Sequence, residues 1–265
     1  MSDRQRQWLV TAGAAVMLFG TLYGFGVIGT PVEDSANSTF AADATLLAPA
    51  SRAFSIWSVI YTGLLAYVVW QWLPANTASP WARRIGWLSA LSMVLNGAWL
   101  LVTQSPAPWL SVVVILLLAI TLGELVRRLG VSRDARPVER VVLDGAFGLY
   151  LGWVAIASLA NVTAVLVAAG FDPGGEVAEY WAVGVLALGA ILGVVLAERL
   201  GGRLAVAGAM AWGLGWIAVG RLTGAPPSEL TGVAAAIAAV VVLTAAGLVW
   251  LRRATGRPAV QHVTR

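Results

Sequence analysis

The sequence predicts an all-α polytopic transmembrane bundle of about eight helices, and three observations lead to this fold class. Of the 265 residues, 59% are hydrophobic and only 11% are charged, whereas about a quarter of a soluble domain is charged. The mean hydropathy is +0.81. The apolar runs are long enough for membrane-spanning helices rather than barrel strands. Composition therefore excludes a soluble globular fold and a disordered chain.

Eight apolar segments have the length of a membrane-spanning helix. The first run is about 23 residues long and rich in glycine, which favours an uncleaved helix over a signal peptide. The loop 31–52 is polar and is interpreted either as a flexible lid or as a surface loop. In chain order, the predicted segments are 8–30, 54–73, 85–104, 109–126, 141–170, 181–197, 204–222 and 231–251.

The arginines alternate between the two ends of these segments. With the N-terminus inside, 15 of the 17 arginines fall on one side, and only Arg52 and Arg221 fall on the other. The positive-inside rule then predicts a multi-pass cell-membrane protein with both termini cytoplasmic. Because the arginines do not form one basic face, nucleic acid is not a predicted partner.

Several absent residue types exclude whole classes of chemistry. The chain has no cysteine, and all 17 basic residues are arginine, so thiolate sites and lysine Schiff bases are excluded. His262 is the only histidine and lies near the chain end, which leaves no imidazole within the membrane. We predict no catalytic residue and no metal site, and an enzyme is less favoured than a binding protein.

The composition changes near Gly170, which suggests a division of the chain. Residues 1–170 carry Trp, Tyr and Asn within the apolar runs and are interpreted as a five-helix core. Residues 171–251 are mostly Ala, Val, Leu and Gly and form three additional helices, and 252–265 form a basic cytoplasmic tail. Three roles stay open for the additional helices: a substitute for a dimer partner, an accessory bundle or part of a transport path.

Aromatic and amide side chains share helical faces in three of the first five segments. In the second segment Trp57 and Tyr61 are four residues apart, and in the third Asn96 and Trp99 are three apart. In the fifth, the residues at positions 150, 153, 157 and 161 fall within a stripe of roughly 80°. Two interpretations stay open, namely packing between helices and a ligand pocket. The stripe consists of Tyr150, Trp153, Ala157 and Asn161.

These three stretches resemble motifs of the tryptophan-rich sensory protein family, also called the TspO or translocator protein family. The stretch Trp57-Ser-Val-Ile-Tyr61 is similar to its W-x-x-x-Y, and Leu95-Asn96-Gly-Ala-Trp99 to its L-N-x-x-W. The stretch from Tyr150 to Asn161 is similar to its fifth-helix Y-x-x-W-x-x-x-A-[ST]-x-x-N. The motifs occur in the family's order, and the resemblance covers residues 1 to about 170.

The resemblance implies a five-helix TspO-like core, extended here by three helices, that binds tetrapyrroles or other flat hydrophobic ligands. Without a membrane imidazole, a porphyrin would be held by its face rather than through iron. The predicted function is binding of such a ligand for sensing or handling, with a secondary transporter of a small hydrophobic molecule as the alternative. The expected partners are the lipid bilayer, this ligand and, for assembly, a second copy of the chain. By position, the resemblance assigns the pocket to Trp57, Tyr61, Asn96, Trp99, Tyr150, Trp153 and Asn161.

Charged residues near the ends of the apolar runs are interpreted structurally. Glu124 can reach the arginines at i+3 and i+4, which favours ion pairing over a proton site. Asp144 is expected to pair with Arg140 in the same way. Arg221 is expected to extend its side chain to the lipid headgroups.

Overall fold

The computed structural model describes residues 1–130 and 135–255, and within them eight helices are long and apolar enough to cross a membrane. The all-α, eight-span prediction is confirmed, and the described residues contain no strand. Residues 131–134 of the predicted loop 127–140, and residues 256–265 of the predicted tail with His262, lie outside the described ranges. We number the helices α1 Asp3–Gly24, α2 Ile56–Trp72, α3 Pro80–Val102, α4 Trp109–Leu129, α5 Ala146–Ala168, α6 Gly175–Leu200, α7 Leu204–Thr223 and α8 Glu229–Thr255.

Several helices begin before their apolar runs, because polar residues continue the helix at its end. At the start of α1, the backbone N–H of Gln5 donates to Ser2 Oγ, and the Ser2 N–H donates to Gln5 Oε1, a capping box that stabilises the first turn. Helix α3 begins at Pro80, which suits the first helical position because proline lacks an N–H. Before α5, the helical turn Pro137–Glu139 and the π-helical turn Arg140–Gly145 extend the span to 32 residues.

The closest helix pairs are not always neighbours in the chain. Helix α1 packs chiefly on α3, and α5 packs on both α4 and α7. Helix α8 packs on α6 and α7, and α2 lies against α1 and α5. A Cβ built on Gly20 of α1 would lie 2.7 Å from the Cα of Gly97 on α3, so only glycine allows this approach.

Helix α7 packs directly on the predicted five-helix core. A Cβ on Gly148 of α5 would lie 2.9 Å from the Cβ of Ala205. A Cβ on Gly152 would collide with the backbone carbonyl oxygen of Val206. The change in composition near Gly170 therefore does not coincide with a gap in packing between α5 and α7.

The connection between α1 and α2, residues 25–55, folds over one end of the bundle, and we call it the lid. It contains the short turns Val32–Asp34, Ser35–Ser38 and Ser51–Ser55. Its side chains at Val32, Leu47 and Ala53 are buried. The loop therefore packs on the bundle in the position of a lid, while its flexibility stays a prediction. We call this end of the bundle the lid end and the opposite one, where Asp3 contacts Arg83, the terminal end.

Candidate functional site

Helices α2, α3 and α5 bring the seven predicted pocket residues into one buried layer close to the lid. Each helix turns its aromatic and amide face inward, as the three- and four-residue spacing predicted. None of the seven side chains is more than 9% exposed. Two come from α2, two from α3 and three from α5: Trp57, Tyr61, Asn96, Trp99, Tyr150, Trp153 and Asn161.

Trp57 lies at the centre of the aromatic layer. Its ring stacks on Tyr61, with centroids 5.0 Å apart and an interplanar angle of 29°. Its other ring contacts are edge-on, with Tyr150 at 6.0 Å and Trp153 at 6.1 Å. These distances lie within the favourable range for aromatic pairs, about 4.5–7 Å. The layer therefore presents ring faces and ring edges side by side.

Hydrogen bonds to amides fix the orientation of the rings. The Tyr61 hydroxyl donates to Asn96 Oδ1 at 3.0 Å, and Trp99 Nε1 donates to Asn161 Oδ1 at 2.8 Å. Asn161 Nδ2 in turn donates to Ser111 Oγ on α4 at 2.9 Å. The two asparagines thus serve as internal partners for aromatic donors, which explains their position within apolar helices.

Tyr150 has a different place from the other six residues. It is fully buried behind Trp57, and its hydroxyl donates to the backbone oxygen of Ser92 on α3 at 3.1 Å. It lines none of the three cavities described next. Tyr150 therefore packs against the Trp57 ring without lining a cavity.

Three small cavities lie against the aromatic layer, with volumes of about 220, 60 and 30 Å³. The largest is lined by Trp57, Tyr61 and Trp99 together with lid residues. Phe54 and Trp99 line all three cavities and therefore form the walls between them.

Two lid phenylalanines belong to the cluster, although no motif pointed to them. The Phe54 ring lies 5.8 Å from that of Trp153, and the Phe40 ring lies 6.2 Å from that of Trp99. Phe54 could have been found, because it precedes Trp57 by three residues and so shares its helical face. Phe40 lies in an irregular loop, where spacing carries no such signal.

The polar groups at the cavities are few. Among the described residues that line the largest cavity, Glu33 carries the only charge. Trp153 Nε1 is buried and has no hydrogen-bond partner among the described residues. An unpaired buried donor costs free energy, so a bound molecule with an acceptor at this point would gain a contact that the protein leaves open.

A larger opening of about 940 Å³ at the terminal end has a different chemical character. Its lining includes Glu139, Arg140, Asp144, Arg203 and Arg253. Asp144 contacts Arg203, which precedes α7, instead of the Arg140 expected from its own helix, because the start of α7 packs against α5. Burial lowers the pKa of Arg203 to about 10, and the charge of Arg253 acts in the same direction. These are the surroundings of structural ion pairs rather than of a site for a hydrophobic molecule.

The other two predictions about charges have opposite outcomes. Glu124 pairs with Arg127 at 2.7 Å and with Arg128 at 2.6 Å, as expected from their spacing. The prediction that Arg221 extends to the headgroups is wrong, since its side chain is 1% exposed. It turns inward because backbone carbonyl groups of the lid lie within hydrogen-bond distance of its guanidinium.

The comparison with known proteins agrees with the motifs on α2, α3 and α5. A family model described as TSPO-like protein matches residues 7–248. No curated protein and no solved structure matches the chain. The matched range extends beyond the predicted five-helix core and reaches into α8, so the family resemblance includes the helices that follow Gly170. An eight-helix membrane bundle with these motifs, matched over almost its whole length, is a member of the TSPO-like protein family.

Proposed function

We propose that this protein binds a planar, mostly apolar molecule between the aromatic layer and the lid, and that a tetrapyrrole is the leading candidate. The observation that carries the proposal is the convergence of Trp57, Trp99 and Trp153 from three helices on cavities covered by the lid. Indole rings offer a flat ligand large contact areas and favourable stacking. The single charge among the described lining residues of the largest cavity, Glu33, favours an uncharged ring system over a highly charged one.

The volumes indicate that binding requires movement of the lid. Drug-sized ligands occupy pockets of about 300–1,000 Å³, and the largest of the three cavities has about 220 Å³. Even together, the three cavities reach only the lower end of that range. We infer that Phe54 and the lid move aside when a ring as large as a porphyrin binds, so that the described arrangement is a closed form.

Transport of a small hydrophobic molecule is the competing function, and it makes a separate prediction. A binder shows saturable affinity without flux, whereas a transporter moves the same molecule across the bilayer of proteoliposomes.

We also propose that the terminal end faces the cytoplasm, because the arginines concentrate there. The lid and the pocket would then lie towards the outer leaflet.

The test is titration with protoporphyrin dimethyl ester, an uncharged porphyrin, followed by the porphyrin absorbance in one detergent. Replacing Trp153 by Ala removes a stacking surface worth about 0.5–1.5 kcal/mol beyond its buried area. The total loss is expected to reach about 2 kcal/mol, close to thirtyfold in affinity. Trp153→Phe keeps a ring and is expected to retain most of the affinity.

The matched control is Trp181→Ala, because Trp181 is 69% exposed and lies away from the three cavities. Its affinity is expected to stay within about twofold of the wild type. Thermal melts establish that each variant is folded, since removal of a buried Trp costs stability as well. Equal affinity in the wild type and in a folded Trp153→Ala protein would show that the aromatic layer only packs the bundle.

A further inference from the structure

Arg221 connects the end of α7 to the lid through its guanidinium group. Nη1 donates to the backbone oxygen of Thr45 at 3.0 Å, and Nη2 donates to that of Ala42 at 3.0 Å. Nη2 also donates to the backbone oxygen of Ala225 at 2.8 Å, in the loop that follows α7. Hydrogen bonds from a charged donor are stronger than those between neutral groups. A single buried side chain therefore holds the middle of the lid against α7.

Two more contacts extend this attachment along the lid. Trp212 Nε1 on α7 donates to the backbone oxygen of Ala53 at 2.9 Å. The backbone N–H of Ala50 donates to the backbone oxygen of Trp216 at 3.2 Å. Every one of these bonds uses a backbone group of the lid. The attachment therefore depends on the backbone conformation of the lid and on the position of α7.

The attached stretch includes Thr45, Ala48 and Pro49, which line the 60 Å³ cavity together with Trp99 and Trp153 of the aromatic layer. The contacts with α7 span residues 42–53, and the lid phenylalanines Phe40 and Phe54 lie just outside this stretch. These rings contact Trp99 and Trp153. A flat ligand that enters this cavity from the side of the lid displaces this stretch from α7.

We propose that α7 is a clamp on the lid, and that Arg221 is the positioning residue through which this clamp limits access of a ligand to the aromatic layer. This inference gives a role to a helix that follows the predicted five-helix core. It rests on the proposed function only for the nature of the ligand. The position of the lid itself can be measured without any ligand, so the two proposals can fail separately.

The first experiment measures opening of the lid by thiol labelling, which the cysteine-free sequence makes specific. Ala48 in the lid is 8% exposed, so an Ala48→Cys reporter reacts with a maleimide only when the lid opens. In this background, Arg221→Gln is expected to raise the labelling rate at least tenfold. Arg52→Gln removes the same charge from an exposed position of the lid and is expected to leave the rate unchanged.

A second reporter separates clamping from a general effect on the fold. Ala82 is buried at the terminal end, and labelling of Ala82→Cys is expected to be unaffected by Arg221→Gln. An equal increase at both reporters would show that Arg221 supports the whole bundle, which would overturn the proposal. No increase at Ala48→Cys in a folded Arg221→Gln protein would overturn it as well.

The second experiment closes the clamp covalently. A Cβ built on Gly220 would lie 3.7 Å from the Cβ of Ala50, within the range of about 3.5–4.5 Å that disulfides require. In the double variant Ala50→Cys/Gly220→Cys, oxidation is expected to slow association of protoporphyrin dimethyl ester at least tenfold. Reduction is expected to restore the rate.

Each outcome of the second experiment bears on one proposal. If the oxidised protein binds the porphyrin ester as fast as the reduced protein, the ligand reaches its site by another route and the clamp is overturned. If neither form nor the wild type binds the ester, the proposed ligand class fails. In that case the labelling rates of Ala48→Cys still decide whether α7 holds the lid.

Discussion

Glu33 places a partly exposed carboxylate in the lining of the 220 Å³ cavity, where it accepts a hydrogen bond from Ser51 Oγ at 3.3 Å. A ligand with its own carboxylates would bring like charges together there. Two charges about 4 Å apart interact with about 1 kcal/mol in water. We therefore expect Glu33→Gln to raise the affinity for protoporphyrin with free carboxylates about fivefold and to leave the affinity for its dimethyl ester unchanged.

Asp34→Asn is the matched control, because Asp34 is an exposed neighbour that does not line the cavity. Titration of the two porphyrins against the three proteins checks the prediction. A similar gain for the ester would show that Glu33 acts through the shape of the lid rather than through its charge.

At the residue scale, the motifs predicted which side chains are buried but not the partners that hold them. Spacing alone placed Asn161 on an inward face, whereas its bonds to Trp99 and Ser111 depend on how α3, α4 and α5 are arranged. The prediction that the Arg221 side chain extends to the headgroups was wrong for a related reason. An arginine at a helix end normally reaches the headgroups, and only the fold reveals that lid carbonyl groups lie beside it.

At the scale of elements, the close approach of α5 and α7 at their interface depends on glycine. A Cβ on Gly152 would overlap the carbonyl oxygen of Val206, whereas a Cβ on Gly215 of α7 would meet no atom within 4 Å. We expect Gly152→Ala to destabilise the protein by about 1–3 kcal/mol, the usual cost of overpacking. Gly215→Ala is expected to be neutral or slightly stabilising, since Ala favours helix by about 1 kcal/mol over Gly.

Thermal melts of the two alanine variants in the same detergent measure this difference. A melting temperature for Gly152→Ala equal to that of the wild type would mean that α7 can shift away from α5 at little cost. The contacts between α7 and the lid would then shift as well, because they depend on where that helix lies.

The existence of each helix was predictable, while its ends were not. A span of about 20 apolar residues is required by the thickness of the bilayer, and the sequence contains eight such runs. Helix α3 nevertheless begins at Pro80 and includes Arg83 and Arg84, because charged side chains continue a helix readily once its apolar part is anchored. The π-helical turn before α5 has no counterpart in the hydrophobic pattern.

At the scale of the whole molecule, the concentration of arginines predicts which end faces the cytoplasm. Ala78 lies at the terminal end beside α3, and Glu176 lies in the first turn of α6 at the lid end; both are exposed. In intact cells, Glu176→Cys is expected to react with a membrane-impermeant maleimide, whereas Ala78→Cys is expected to react only after lysis. Reaction of Ala78→Cys alone in intact cells would reverse the proposed orientation.

The packing of α1 on α3, and of α5 on α7, has a consequence for biosynthesis. Helices leave the ribosome in chain order, but Gly20 meets Gly97 only after the intervening helix α2 has been made. The glycine face of α1 therefore cannot meet its native partner until α3 is inserted, and that of α5 cannot do so until α7 follows α6. Each of these two interfaces spans an intervening helix, so a pause in translation after α2 or after α6 separates a glycine face from its native partner.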